Sequence, residues 1–250
     1  QRIGQAIGTE AAARGDQSVV VARDGRLSGP MLSAALIRGI RASGVNVIDV
    51  GMVPTPVLYF AAIHLEGTSS GVMLTGSHNP PDYNGLKIVL AGETLYGEEI
   101  TDLHRRIVEG DLAEGEGALE ERDVRPAYLQ TILDDVKLTR PLKVVVDCGN
   151  GVAGEMAPEL VSKLGCDIIP MFCEIDGNFP NHHPDPGKPA NLVDMIAKVK
   201  ETGADLGLAF DCDGDRVGVV TQTGQLIYPD KLMMLFAEDV CQRNPGAKII

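Results

Sequence analysis

Two short strings in this 250-residue chain carry residue types that could do chemistry. The first is Thr75-Gly-Ser-His-Asn-Pro80, with Lys87 a few positions further on. A serine hydroxyl is a weak nucleophile alone and needs a base or a charge-rich setting. His78 and Lys87 could supply either. The same string also reads as an ordinary turn whose residues serve only the backbone, with Gly76 turning the chain and relieving crowding at Ser77. The second string is Phe210-Asp-Cys-Asp-Gly-Asp-Arg216. Carboxylates at Asp211, Asp213 and Asp215 repel one another unless a cation lies among them. Their hard oxygens suit Mg²⁺, with coordination positions left open for phosphate. Arg216 beside them can hold a phosphate through forked hydrogen bonds. A solvated acidic turn is the plain alternative.

Other readings of the acidic string fare less well. A calcium loop of the EF-hand kind needs Gly and Glu where this chain has Arg216 and Gln222, and its flanks should be helical. A Mg²⁺-dependent phosphatase with Asp211 as nucleophile, as in haloacid-dehalogenase-type enzymes, would place the motif after the first strand of its domain; here it comes late. Two more strings could touch anions. Asp147-Cys-Gly-Asn-Gly-Val-Ala-Gly154 enters a helix, whose N-terminus can bind an anion. It lacks the Lys-Ser/Thr of a P-loop, so tight packing of turn and helix is preferred. Arg23-Asp-Gly-Arg-Leu-Ser28 orients the loop of Ser77, binds phosphate, or forms a salt-bridged turn.

The elements needed to position these strings follow from the apolar pattern. Strands are expected at Ser18–Val21, Val47–Val50, Gly71–Leu74 and Leu86–Leu90, with helices from Ser28-Gly-Pro30 onward, over Val57–Leu65 and over Glu98–Val108. Ser28 is the expected capping hydroxyl. A Gly- and Glu-rich stretch, Glu109–Arg122, interrupts the pattern, placing a boundary near Asp123. Alternation resumes with helix Pro126–Val136, strand Lys143–Asp147, helix Ala153–Leu164, strand Asp167–Met171, a long loop Cys173–Ala190, helix Leu192–Glu201, strands Leu206–Phe210 and Val217–Val220, and helix Lys231–Cys241. Lys248-Ile-Ile250 reads as the start of a strand. The fold class is α/β: two consecutive three-layer domains of related topology with mixed, largely parallel sheets.

Composition narrows the function. A net charge of −13 argues against a nucleic-acid surface. No apolar run is long enough for a membrane span. Five scattered cysteines with no C-x-x-C suggest neither a disulfide framework nor a zinc site, and a reducing cytoplasm is the expected setting.

Taken together, residues 71–87, 176–186 and 210–216 stand in the order used by the α-D-phosphohexomutases, and the chain resembles that family, of the bacterial phosphomannomutase/phosphoglucomutase type, over essentially its whole length. The resemblance implies a four-domain enzyme. Residues 1–123 would be domain 1 with the phosphoserine loop, 124–225 domain 2 with the metal loop, and 226–250 the start of domain 3. It implies that Ser77 carries the phosphoryl group and that Asp211, Asp213 and Asp215 hold Mg²⁺ with an oxygen on Ser77. His78, Lys87 and Arg216 would line the transfer site, Lys87 being the better proton-transfer candidate, and Arg23 would be a further phosphate contact. The implied reaction moves phosphate between O1 and O6 of mannose or glucose through a hexose 1,6-bisphosphate. Hexose phosphates and the absent C-terminal domains are the implied partners. A non-catalytic sugar-phosphate binding module is the remaining alternative. The family pattern has Gly at Cys212, so a side chain there restricts the loop if its backbone needs positive φ. It also adds an oxidisable thiol beside the metal. The family's early arginine would lie before Gln1. Without the later domains, the 250 residues are expected to bind metal and carry phosphate but turn over hexose phosphates poorly.

Overall fold

In the computed structural model, which describes residues 1–249, the chain opens with a helix that the strand-led sequence reading leaves unassigned, α1 (Arg2–Ala13). There follow β1 (Ser18–Arg23), α2 (Gly29–Ala42), β2 (Asn46–Met52), α3 (Thr55–His64), β3 (Ser70–Leu74), β4 (Leu86–Leu90), β5 (Glu93–Thr94), α4 (Glu98–Glu109) and β6 (Leu119–Glu121). The last of these lies inside the Gly- and Glu-rich stretch that was expected to carry no element. The second run is α5 (Arg125–Asp135), β7 (Lys143–Asp147), α6 (Ala157–Lys163), β8 (Asp167–Met171), α7 (Val193–Thr202), β9 (Leu206–Phe210), β10 (Val217–Thr221), β11 (Leu226–Ile227) and α8 (Pro229–Arg243). The helix expected over Ala153–Leu164 is divided: a 3-10 turn at Val152–Glu155 precedes α6. Lys248 and Ile249 form no strand, and Ile250 lies outside the described residues.

The first sheet has the order β5-β4-β3-β1-β2-β6 and the second β11-β10-β9-β7-β8. Four neighbouring strands run parallel in the first sheet and three in the second, and in each a hairpin turns back antiparallel at one side. Counted from its own first strand, the second sheet therefore repeats the order of the first without the strand corresponding to β6. The β3–β4 hairpin holds Ser77 at its bend, and the β9–β10 hairpin holds Asp211 to Asp215. The two chemical strings occupy the same corner of a repeated unit.

Alternation within the central strands explains the layers. Val19 and Val21 face the core made with α1, α2 and α4, whereas Val20 and Ala22 face α3. All four are fully buried, as expected for a parallel strand covered on both faces. In the second sheet Val145 faces α7, and Val144 and Val146 face α6. Leu129 and Met156 join the cluster under α3, so the apolar packing runs from one sheet unit into the other.

The start of α2 differs from expectation. Ser28 makes no capping bond; its Oγ accepts from Asn84 Nδ2 at 2.9 Å instead. The serine ties the helix to the hairpin that carries Ser77. Among the described residues no helix is long and apolar enough to cross a membrane.

Candidate active site

Ser77 lies within the sharp turn that follows β3, closed by Asn79 N–H on the Gly76 carbonyl at 2.9 Å, and its own backbone is left-handed at φ 49°. Such a conformation is uncommon for a residue with a side chain and persists only where surroundings enforce it. Thr75 Oγ1 accepts from Ser77 N–H at 2.8 Å, and Asn79 Nδ2 donates back to the Gly76 carbonyl at 3.0 Å. The chief restraint is Arg26, whose side chain is fully buried. Its guanidinium donates to the carbonyls of Ser77 (2.7 Å), Asn79 (2.8 Å) and Tyr83 (2.9 Å), and also to that of Pro80. Gly76 thus has a different purpose from relieving Ser77: a Cβ there would stand 2.5 Å from Arg26 Cζ. Any side chain would expel the guanidinium.

Asp24 holds Arg26 in turn. Its carboxylate accepts from Arg26 N–H (3.0 Å), Arg26 Nε (3.1 Å) and Thr75 Oγ1 (2.8 Å). The Cys212 thiol lies 3.5 Å from the same carboxylate. Cys212 is fully buried and its backbone does not adopt positive φ; Gly214 does. The loop therefore accepts a side chain at 212. Burial, reinforced by the charge of Asp24, raises the Cys212 thiol well above its ordinary value. A protonated, buried thiol is chemically quiet.

The acidic loop meets the serine across the sheets. Ser77 Oγ donates to Asp211 Oδ2 at 3.2 Å. The other oxygen of Asp211 accepts the N–H groups of Asp215 and Arg216, each at 3.1 Å. Asp213 Oδ2 accepts from Thr55 Oγ1 at 2.5 Å and from Lys87 Nζ at 2.6 Å, and Lys87 also donates to Asp215 at 2.6 Å. Thr55, at the start of α3, also donates its N–H to the Asp213 carbonyl at 2.8 Å.

The electrostatics of the cluster are those of negative charge in excess. Burial, then the neighbouring charge of Asp213, pushes Asp211 up to about 8. Burial acts on Asp213 in the same sense, but hydrogen bonds from Lys87 and Thr55 outweigh it and leave that carboxyl below its usual range. Lys87 is opposed by burial and raised overall by its two aspartates, so it stays an ammonium. The donor set fits a hard divalent cation. One oxygen from each of Asp211, Asp213 and Asp215 lies within 4.8 Å of the others, and Asp213 Oδ1 is buried without a hydrogen-bond partner. An unpartnered carboxylate oxygen is costly unless a cation faces it.

His78 points away from Ser77 toward the 173–190 loop. Its Nδ1 is 3.5 Å from Asp185, and its carbonyl accepts from His183 Nε2 at 2.6 Å. Arg216 is half-exposed, with Asp215 at 4.0 Å its carboxylate neighbour among the described residues. It borders a cleft of about 440 Å³ shared with Asp185, Tyr228 and Phe236. Arg23 is not brought to the serine–aspartate pair. Its guanidinium donates to the Asp24 carbonyl at 3.2 Å and lines a shallower cleft with Asp49, Arg122 and Arg125.

Within the string 23–28, then, it is Arg26 that orients the loop. Thr55 is the other participant that the sequence reading missed; nothing in Pro54-Thr55-Pro56 signals a bond to residue 213. The Gly-rich string 147–154 packs as expected: a Cβ at Gly151 would be 2.7 Å from the Cys212 carbonyl.

Behind this turn, His182 Nε2 lies 3.0 Å from both oxygens of buried Asp147. Burial opposes protonation of His182, but the bond to Asp147 and its charge prevail, and its pKa is raised. The pair should contribute its full stability below the unfolded value of about 6.5 and lose it as pH rises through the higher folded value. Urea unfolding of wild type and His182→Gln should accordingly differ most near pH 6 and converge toward pH 9. A gap independent of pH would contradict this.

Comparison with known proteins places the arrangement. Residues 1–113 match the family model described as phosphoglucomutase/phosphomannomutase, alpha/beta/alpha domain I, and residues 126–224 match that of domain II. A phosphomannomutase/phosphoglucomutase from Pseudomonas aeruginosa is 66% identical over 248 residues, covering 99% of this chain and 53% of that protein. A phosphoglucomutase from Neisseria gonorrhoeae is 54% identical over 251 residues, with 99% and 54% covered. The crystal structure of a phosphoglucomutase/phosphomannomutase family protein from Burkholderia thailandensis superposes with a TM-score of 0.94 at 58% identity, over 98% of this chain and 55% of that one. The chain spans about half the length of the curated relatives it matches. On two family models, high identity over nearly all its residues and a shared fold, the chain belongs to the phosphoglucomutase/phosphomannomutase family.

Proposed function

We propose that this chain supplies the phosphoryl-carrying and metal-binding halves of a hexose-phosphate mutase, which interconverts hexose 1-phosphate and hexose 6-phosphate of mannose or glucose. Phosphate resides on Ser77, passes to the substrate to give a hexose 1,6-bisphosphate, and returns to Ser77 from the other end of the sugar. The observation that carries this reading is the 3.2 Å approach of Ser77 Oγ to Asp211, across 134 residues of sequence. The units would be residues 1–123 and 124–225, with 226–250 beginning a third; the family models that match residues 1–113 and 126–224 support the first two. The rest of the molecule would complete sugar recognition, and the expected setting is the cytoplasm.

Asp211, Asp213 and Asp215 would hold Mg²⁺, together with an oxygen on Ser77. When bound, the ion neutralises phosphoryl charge and polarises the leaving oxygen. The chain's own groups do the rest. Arg26 and Thr75 fix the serine, so that in-line approach costs little reorganisation. Lys87 faces the site as a cation that offsets charge on the transferred group and is placed to move a proton to or from the sugar hydroxyl. His78, held by Asp185, keeps the serine loop seated against the second unit. Arg216 offers a fork for a phosphate in its cleft, and Arg23 a further phosphate contact in the separate cleft it shares with Arg122 and Arg125.

The test is intact-mass measurement after incubation with a hexose 1,6-bisphosphate and Mg²⁺. Wild type should gain one phosphoryl group, stable to acid, and Ser77→Ala none. Equal uptake by both, or an acid-labile acyl phosphate on Asp211, would replace this reading with that of an aspartate-dependent phosphatase. Binding with no phosphate exchange at all would leave only a sugar-phosphate binding module.

A further inference from the structure

The parallel strands β7 and β8 stand in register, with Asp147 opposite Met171, and each is followed by a cysteine that the phosphoryl chemistry does not use. Cys148 N–H donates to the Met171 carbonyl at 3.1 Å, which keeps the two chains adjacent past the end of the sheet. Phe172 then takes a left-handed backbone at φ 51°. This folds Cys173 back over the strand end, and its Sγ lies 3.6 Å from that of Cys148 and 3.3 Å from the Met171 carbonyl. A disulfide has an S–S length of about 2.0 Å, so the sulfurs need close by only about 1.5 Å. Cys148 is buried, while Cys173 is partly open to solvent.

We propose that Cys148 and Cys173 form a peroxide-sensitive dithiol that closes to a reversible disulfide behind the metal-binding turn. Cys173, the accessible member, attacks a hydroperoxide oxygen as thiolate. The O–O bond breaks, Cys173 becomes a sulfenic acid, and one water leaves. The sulfur of Cys148 then attacks the sulfenic sulfur, its proton departing with the hydroxide as a second water. Two thiols are oxidised by two electrons, and one hydrogen peroxide is reduced to two waters. The local hydrogen bonding agrees: the bond between the sulfurs lowers the Cys173 thiol and, with burial, raises that of Cys148. Of the other cysteines, Cys212 is sealed against Asp24.

The location gives the bridge a consequence. Val152, just past Cys148, donates its N–H to the Cys212 carbonyl at 2.9 Å. Cys173 begins the loop that grips the serine hairpin through His183. A disulfide would join the supports of both chemical loops.

The experiment is peroxide titration of the reduced, intact chain, with alkylation under denaturing conditions and peptide mapping. Cys148 and Cys173 should lose alkylation one-to-one, the chain should lose the mass of two hydrogens, and a peptide joining 148 to 173 should appear and vanish with dithiothreitol. Because Cys148→Ser could disturb the core, Cys173→Ser carries the control. At the peroxide dose that bridges half of the wild type, Cys148 in this variant should remain fully alkylatable. Three results would overturn the proposal: Cys173 advancing to sulfinic acid with Cys148 still free, bridges formed only through exposed Cys241 between chains, or Cys173 unreactive while Cys241 oxidises.

Discussion

Replacing Arg26 with methionine should lower the unfolding free energy by about 3–5 kcal/mol, the range for breaking a buried ion pair from one side, and should abolish phosphate uptake at Ser77. The change strands Asp24, a fully buried carboxylate, and removes the donors from the carbonyls of Ser77, Asn79, Pro80 and Tyr83. Each loss would be costly alone, but they share one side chain and do not add. Without its chief restraint Ser77 should leave its left-handed conformation, since the bonds to Thr75 and from Asn79 remain but no longer pin the carbonyl side of the turn, and the hydroxyl should leave the reach of Asp211. Arg26→Lys should rescue little, since one ammonium cannot present a planar fork to carbonyls on two sides. Urea midpoints and intact-mass phosphorylation measure both effects. A stability loss below about 1 kcal/mol, the scale of an exposed pair, would show that Arg26 is not the anchor.

The second large effect is expected at Lys87. Its ammonium neutralises Asp213 and Asp215 from a position 27% exposed, so Lys87→Met should cost less than a sealed pair, about 2 kcal/mol in the absence of metal. The same lysine competes with a cation for those carboxylates. Removing it should therefore tighten Mg²⁺ binding, and saturating Mg²⁺ should raise the variant's thermal midpoint more than that of wild type. Activity should part from stability. The metal restores the fold, but phosphoryl transfer should stay depressed on the order of 10²–10⁴-fold, the usual contribution of a positioned acid–base group. Chelation with EDTA should reverse the recovery of the midpoint. Equal Mg²⁺ responses in variant and wild type would exclude Lys87 as a neighbour of the cation.

The legible parts of this molecule were those with local signals. The strings Val19-Val20-Val21 and Val144-Val145-Val146 announce buried strands by composition. The aspartates at 211, 213 and 215 announce a carboxylate cluster by their spacing, and the fold gathers one oxygen of each within 4.8 Å of the others. What escaped depends on contacts between distant residues. Arg26 and Arg23 are indistinguishable in a six-residue string; only the folded chain turns one inward under the serine hairpin and leaves the other at a rim. Thr55 looks like a helix start between prolines, and its bond to Asp213 spans 158 positions. Ser28 has the chemistry of a cap, yet Asn84 claims it. Beta-strand β6 was hidden because it is short, polar and exposed, lying at a sheet edge where an apolar pattern is not required.

The placement of the hydroxyl and the carboxylates at matching corners of two repeated sheets means that neither unit owns the gap between them. Its width is set by how the units are seated, through contacts such as Thr55 with Asp213 and His183 with His78. The pair of hairpins thus works as a gauge. A substitution that loosens the seam would silence the chemistry while leaving both halves folded, and damage at a distance would be read out as a few tenths of an ångström between two oxygens.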